Sequence, residues 1–117
     1  MLHSHQAAQL PAARIAADEY HRVEFALQAP IPVYQFKLWR TEHNDMFLLV
    51  KDDSSLLPRL KEGHIVPMTY LSNGTNGGGQ IRETRIDRII DERAGRFQGH
   101  HRVELAVLPA ELATVRQ

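Results

Sequence analysis

The sequence lacks cysteine, which excludes disulfide bonds, thiolate metal sites and cysteine nucleophiles. It also lacks any apolar run near the roughly 20 residues that a membrane-spanning helix requires. No basic segment followed by an apolar run marks a signal peptide. We therefore expect a soluble, cytoplasmic protein without a membrane span.

An excess of charge of one sign is missing as well. The 14 basic and 14 acidic residues of this 117-residue chain give a formal net charge of zero. Nucleic-acid-binding domains usually carry a strongly basic stripe, so we expect no nucleic-acid partner. A chain of this length fits one domain with its own hydrophobic core.

Recognisable catalytic and metal-binding motifs are absent too. Phosphate-binding loops, nucleophile elbows and dinucleotide-binding fingerprints do not occur, so we expect no enzyme and no cofactor. Metal motifs need fixed ligand spacing, which the histidines do not show, and we expect no metal site. The histidines are scattered over the chain: His3, His5, His21, His43, His64, His100 and His101.

Short apolar segments separated by turn residues dominate the chain after residue 20 and predict strands. We expect strands over residues 22–28, 33–40, 46–50, 65–71, 80–91 and 102–108, with hairpin turns at 42–45 and 93–99 and a flexible loop at 72–79. Helical spacing of apolar residues makes a helix the rival for 80–91. Outside these strands, the pattern predicts a helix from about Pro11 to Tyr20 and a short helix or turn at 109–115.

This succession predicts an all-β fold, an antiparallel barrel or sandwich of five to seven strands. Residues 1–17 form a predicted helical extension, and residues 18–117 form the predicted barrel domain. Apolar residues at strand positions are expected in the core: Phe25, Phe36, Leu38, Phe47, Leu49, Ile65, Val103 and Leu105.

The arginines of the second half of the chain are interleaved with acidic residues. This pattern predicts a solvated, salt-bridged face of the sheet rather than a phosphate-binding stripe. Strand alternation would put Arg82, Thr84, Ile86 and Arg88 on one face of a strand.

An acidic and hydroxyl-bearing turn is the most informative feature for function. The range Asp52–Ser55 follows the apolar strand Met46–Val50, and Gly63 precedes the next strand. Such side chains hydrogen-bond their own backbone in turns. A polar turn held between two buried strands can present side chains to a ligand.

Two short motifs surround this turn. Asp52 and Ser54 match an Asp/Asn-x-Ser-x-x-Gly motif that has Leu57 in place of its glycine. Upstream, Arg22 and the strand after it match the end of an Arg-x-x-x-Arg motif, with Asp18 in place of the first arginine. In these motifs and in the order of its strands, the chain resembles the PilZ domains of bacterial cyclic-di-GMP signalling over roughly residues 18–108.

The resemblance implies a six-stranded barrel whose ligand-binding positions are Arg22, Asp52 and Ser54. In that family, paired arginines grip the anionic dinucleotide with their planar guanidinium groups. Asp18 replaces this attraction with repulsion, and Leu57 adds a side chain where the family has none. The resemblance therefore implies a non-enzymatic regulatory or adaptor domain that acts through protein contacts, with cyclic-di-GMP binding weak or absent.

The sequence is also compatible with three other functions. One is a PilZ domain that does bind cyclic-di-GMP. Another is a barrel that binds single-stranded nucleic acid on Tyr34, Phe36 and Trp39, although alternation puts Phe36 and Trp39 on opposite faces. A third, with no supporting spacing, is a hydrolase that uses Ser54 or Ser55.

Overall fold

The computed structural model describes residues 20–28, 31–72 and 79–109. Within them the chain is all-β, as predicted, with one 3-10 turn at Leu57–Arg59. The described strands are β1 (Arg22–Phe25), β2 (Tyr34–Lys37), β3 (Trp39–Arg40), β4 (Met46–Lys51), β5 (Ile65–Leu71), β6 (Gln80–Glu92) and β7 (His100–Val107). The strand prediction for 80–91 is confirmed, and its helical rival is wrong. Apart from Tyr20 and Pro109, the residues of the two predicted terminal helices lie outside the described residues. Most of the predicted loop at 72–79 lies outside them as well.

The strands form one antiparallel sheet in the order β2-β1-β5-β6-β7-β4-β3. Its two edge strands, β2 and β3, are separated along the chain only by Leu38. Tyr34–Lys37 pairs with β1, and Trp39–Arg40 pairs with β4. One bent segment thus joins both edges of the sheet into a nearly closed barrel, which leaves no long edge exposed among the described strands.

The barrel interior is filled by side chains that alternate along the strands. Of the eight predicted core residues, four are buried in this interior, namely Phe25, Leu38, Val103 and Leu105, whereas Phe47 is buried on the outside of the barrel. Phe36 packs against the core while partly exposed, and Leu49 is half-buried. The prediction for Ile65 is wrong, because it is 39% exposed. Val66, Met68 and Tyr70 take the inward positions of β5, and period-two alternation turns Ile65 outward.

A β-bulge in β6 changes which side chains face outward. Ile86 pairs with Leu105, but Arg88 pairs with Glu104, so one extra residue lies between the two pairs. The prediction that Arg88 shares a face with Ile86 is therefore wrong. Arg88 lies outside, with its Nε 3.6 Å from Glu104 Oε1, and Ile89 packs against the core instead.

The salt-bridged face predicted for this half of the chain is present. Exposed ion pairs join Arg85 to Asp87 at 2.6 Å and Arg93 to Asp91 at 3.1 Å. Both pairs link residues two apart on the same side of the chain. Exposed pairs of this kind stabilise a fold little, so their main effect is to neutralise charge locally.

A polar pair crosses the buried interior between β5 and β6. The Tyr70 and Thr84 hydroxyls lie 2.7 Å apart, and both side chains are fully buried. The Thr84 hydroxyl donates to the Arg82 carbonyl at 3.2 Å, so it accepts the Tyr70 proton. Burial raises the pKa of Tyr70 from 10.0 to about 12, although the hydrogen bond with Thr84 opposes this shift.

Stability should therefore fall at alkaline pH through Tyr70. Its folded-state pKa lies above the unfolded value, so the unfolded chain releases this proton first as the pH rises. The contribution, roughly 2 to 3 kcal/mol, is fully present below pH 10.0 and is lost by about pH 12. Urea midpoints of Tyr70→Phe should decline less steeply than those of the parent in this window. Parallel declines would contradict this account.

Candidate functional site

The acidic turn after β4 is anchored at both ends. The Asp52 amide donates to the Gly99 carbonyl at 3.0 Å, and the Ser54 amide donates to the Lys51 carbonyl at 3.0 Å. After the turn, Leu56 and Leu60 are buried in the core. The turn is therefore held by backbone bonds on one side and by two core leucines on the other.

The Ser54 hydroxyl serves this turn. Its Oγ accepts a hydrogen bond from the Leu56 amide at 3.1 Å. This local bond between a serine and the amide two residues on is a common turn device. It gives Ser54 a structural role that does not depend on any ligand.

The Asp52 carboxylate is bonded to a histidine from another strand. His101 Nδ1 lies 2.8 Å from Asp52 Oδ1. Because a carboxylate only accepts hydrogen bonds, Nδ1 carries the proton and donates it. The Asp52 side chain is 50% exposed and that of His101 is 23% exposed, so the pair lies at the surface of the barrel end.

Arg22 lies on a different part of the barrel. It is on β1, opposite Lys37 of β2 and Leu71 of β5. Val23 points into the core, so alternation turns Arg22 outward. Asp52 and Ser54 share one turn after β4, whose neighbours in the sheet are β7 and β3. Of the three candidate ligand residues, the structure brings Asp52 and Ser54 together and places Arg22 on a non-neighbouring strand.

An aromatic cluster on the outside of the barrel was missed by the sequence analysis. We call Trp39, Phe47 and Phe97 the outer cluster. The Trp39 and Phe47 rings stack with centroids 6.2 Å apart, and the Phe97 ring meets Trp39 edge-on at 5.2 Å. Phe47 is only 3% exposed, so its burial comes from this cluster rather than from the interior core.

Cations surround the outer cluster. Lys37 Nζ lies 4.0 Å from the centroid of the Trp39 ring, and the Arg96 guanidinium lies 4.9 Å from that of Phe97. In the part of the chain that the structure describes, neither cation forms a salt bridge. Arg22 stands directly opposite Lys37, which adds a third positive charge. We call the surface formed by the outer cluster with Lys37, Arg96 and Arg22 the basic aromatic face; Glu104, which stands opposite Phe47, is paired with Arg88 and Arg102.

The partly buried aromatics of β2 are used in packing. Phe36 stacks on Phe25 with centroids 6.0 Å apart, and Tyr34 lies 5.8 Å from the same ring. The Tyr34 hydroxyl also accepts a hydrogen bond from Arg59. As alternation predicted, Trp39 lies on the opposite face from Phe36. These three aromatics therefore do not form one stacking platform.

One group of side chains has the donor atoms for a metal ion. Within the described ranges, Asp52, Asp91 and His101 place one ligand atom each within 4.8 Å of one another. The residues are far apart in sequence, and only the pairing of β4, β6 and β7 brings them together. No spacing motif in the chain marks them.

Comparisons with protein-family models, with curated proteins and with solved structures found no match to this chain. No helix in the described ranges has the length and apolar character needed to cross a bilayer.

Ser54 and Ser55 are neighbours in the turn, so comparing their alanine variants tests the hydrogen bond that the Ser54 hydroxyl accepts. Ser54→Ala should lower the free energy of unfolding by about 1 kcal/mol, because the Leu56 amide loses its acceptor. Ser55→Ala changes an exposed side chain and should leave stability unchanged. Urea denaturation of both variants measures the difference. Equal effects of the two substitutions would refute the structural role of Ser54.

Proposed function

We propose that this protein is a non-enzymatic, cytoplasmic regulatory or adaptor domain of the PilZ type, which acts through contact with another protein. The antiparallel barrel is the fold that the resemblance implies. Its interior is filled with apolar side chains, as in other small barrels, so contacts with a ligand or partner fall on the outside. Ser54, the one candidate nucleophile of the turn with a bonded hydroxyl, is engaged in holding the backbone.

The observation that carries this proposal is the basic aromatic face. Tryptophan and arginine are enriched among the residues that contribute most to protein–protein binding. Here Trp39 is held rigidly by Phe47 and Phe97, and Lys37 and Arg96 have no carboxylate partner among the described residues. Rigid aromatics flanked by uncompensated cations suit a partner segment that carries carboxylates.

The same geometry favours protein over single-stranded nucleic acid as the partner. Nucleic-acid platforms present an open ring face on which a base stacks. Phe47 stacks on the Trp39 ring, and Lys37 lies over it at 4.0 Å. The ring is therefore already in contact on its faces, while Lys37 and Arg96 are exposed residues that a partner can reach.

Four features support weak or absent binding of cyclic-di-GMP. Asp52 is bonded to His101, and Ser54 is bonded within its own turn. Arg22, the one retained arginine of the motif, lies on a strand that does not neighbour β4. In the sequence, Asp18 stands where the family has its other arginine.

A calorimetric titration with cyclic-di-GMP should accordingly show no tight, saturable binding at physiological salt. If the rest of the site is intact, Asp18→Arg should raise the affinity roughly tenfold or more, because it exchanges a repulsive carboxylate for a charge-assisted contact worth about 1.5–3 kcal/mol. Leu57→Gly should help less, since it supplies no charge. Asp45→Arg, at an exposed loop position, is the control for the change in net charge. Tight binding by the parent would refute weak binding.

Reversing the charge of the basic aromatic face should abolish partner capture. In affinity capture from native lysate, Lys37→Glu/Arg96→Glu should lose the species that the parent retains, and salt should elute them from the parent. The matched control, Lys61→Glu/Arg85→Glu, changes two exposed cations elsewhere on the barrel and should retain them. Equal losses in both double variants would mean that only overall charge matters.

A second pair of variants locates the contact more closely. Arg22→Ala adjoins the basic aromatic face, whereas Asp52→Ala lies in the acidic turn. If the contact includes both surfaces, each substitution should weaken capture while circular dichroism melting curves stay close to that of the parent. Loss of capture in neither variant would exclude the turn and Arg22 from the contact. Unfolding of a variant would assign its residue a structural role.

A further inference from the structure

Strand register builds a three-residue cluster at the end of the barrel where β4, β6 and β7 meet. His101 pairs across the ladder with Asp91 on one side and with Val50 on the other. Asp52 follows Val50 by two residues and hydrogen-bonds the His101 ring. One donor atom from each of Asp52, Asp91 and His101 lies within 4.8 Å of the other two.

We propose that Asp52, Asp91 and His101 bind one divalent transition-metal ion of the Zn²⁺ class. The donor set is one imidazole nitrogen and two carboxylate oxygens, and the remaining coordination positions go to water or to a partner group. The imidazole nitrogen separates this group from an ordinary acidic cluster, because Mg²⁺ and Ca²⁺ prefer oxygen ligands and imidazole suits zinc and its neighbours. The proposal is independent of the proposed function.

The present contacts of the three side chains are compatible with exchange for a metal ion. His101 Nδ1 now donates its proton to Asp52; when the ion binds between these two atoms, the imidazole carries that proton on Nε2 and Nδ1 offers its lone pair. Asp91 is paired with Arg93 at 3.1 Å, but the Arg93 side chain is 83% exposed and free to turn into solvent. Asp52 is half exposed, which opens the cluster to ions in solution.

Bound metal would cross-link the acidic turn to the ends of β6 and β7. The acidic turn is connected to the β6–β7 hairpin through the Asp52 amide and the Gly99 carbonyl, and through the Asp52–His101 side-chain bond. An ion shared by Asp52, Asp91 and His101 adds a side chain of β6 itself to this connection. We therefore expect metal binding to raise the melting temperature of the folded protein by mass action.

The test uses the full chain in a His3→Asn/His5→Asn background, so that histidines near the N-terminus do not contribute. Isothermal titration with Zn²⁺ should show one site with a micromolar dissociation constant. His101→Asn and Asp91→Asn should each weaken it about tenfold or more, since even indirect support of a metal site is worth that much. His100→Asn is the matched control, because alternation turns His100 to the opposite face of β7.

Co²⁺ absorption and the nitrogen chemical shifts of the His101 ring give readouts beyond affinity. Both should change on titration of the parent and of His100→Asn, and the Co²⁺ absorption should not change in His101→Asn. Zinc binding that survives His101→Asn, or is lost in His100→Asn, would overturn the proposal. So would Mg²⁺ binding as tight as Zn²⁺ binding, or no zinc binding at millimolar concentration. Circular dichroism of each variant confirms that the barrel remains folded.

Discussion

The bend at Leu38 is the constraint on which the rest of this barrel depends. Residues 34–37 complete the ladder of β1, and residues 39–40 complete that of β4, so one segment supplies both edges of the sheet. Leu38 itself is buried in the core, and its amide donates to the His21 carbonyl at 2.8 Å. The bend is thus held by a core side chain and a backbone bond at the same residue.

This closure sorts the apolar residues into two separate groups. Tyr34 and Phe36, before the bend, lie on the inner side and pack with Phe25. Trp39, after the bend, lies on the outer side and stacks on Phe47. Aromatic residues that are neighbours in sequence therefore have different surroundings. The inner group stabilises the barrel, and the outer group holds a rigid surface among cations, which is the basis of the proposed function.

Local patterns predicted the strands well, because hydrophobic alternation and turn residues are properties of each segment by itself. They failed where the outcome depends on how two segments pair. Ile65 is turned outward since Val66 takes the inward position, and nothing in the sequence marks the bulge that redirects Arg88. The Asp52–His101 contact and the packing of Phe97 on Trp39 arise from strand register and hairpin folding, which periodicity does not contain.

Leu38 and Trp39 are consecutive residues, so the bend that closes the barrel adjoins the tryptophan of the basic aromatic face. A group that docks on Trp39 contacts the residue next to the bend, and the bent segment is what links β1 to β4. Occupancy of the surface and opening of the sheet are then thermodynamically coupled: whatever binds there also resists unzipping of the barrel, and whatever loosens the bend weakens the binding. Leu38 would set the strength of that coupling without touching the partner.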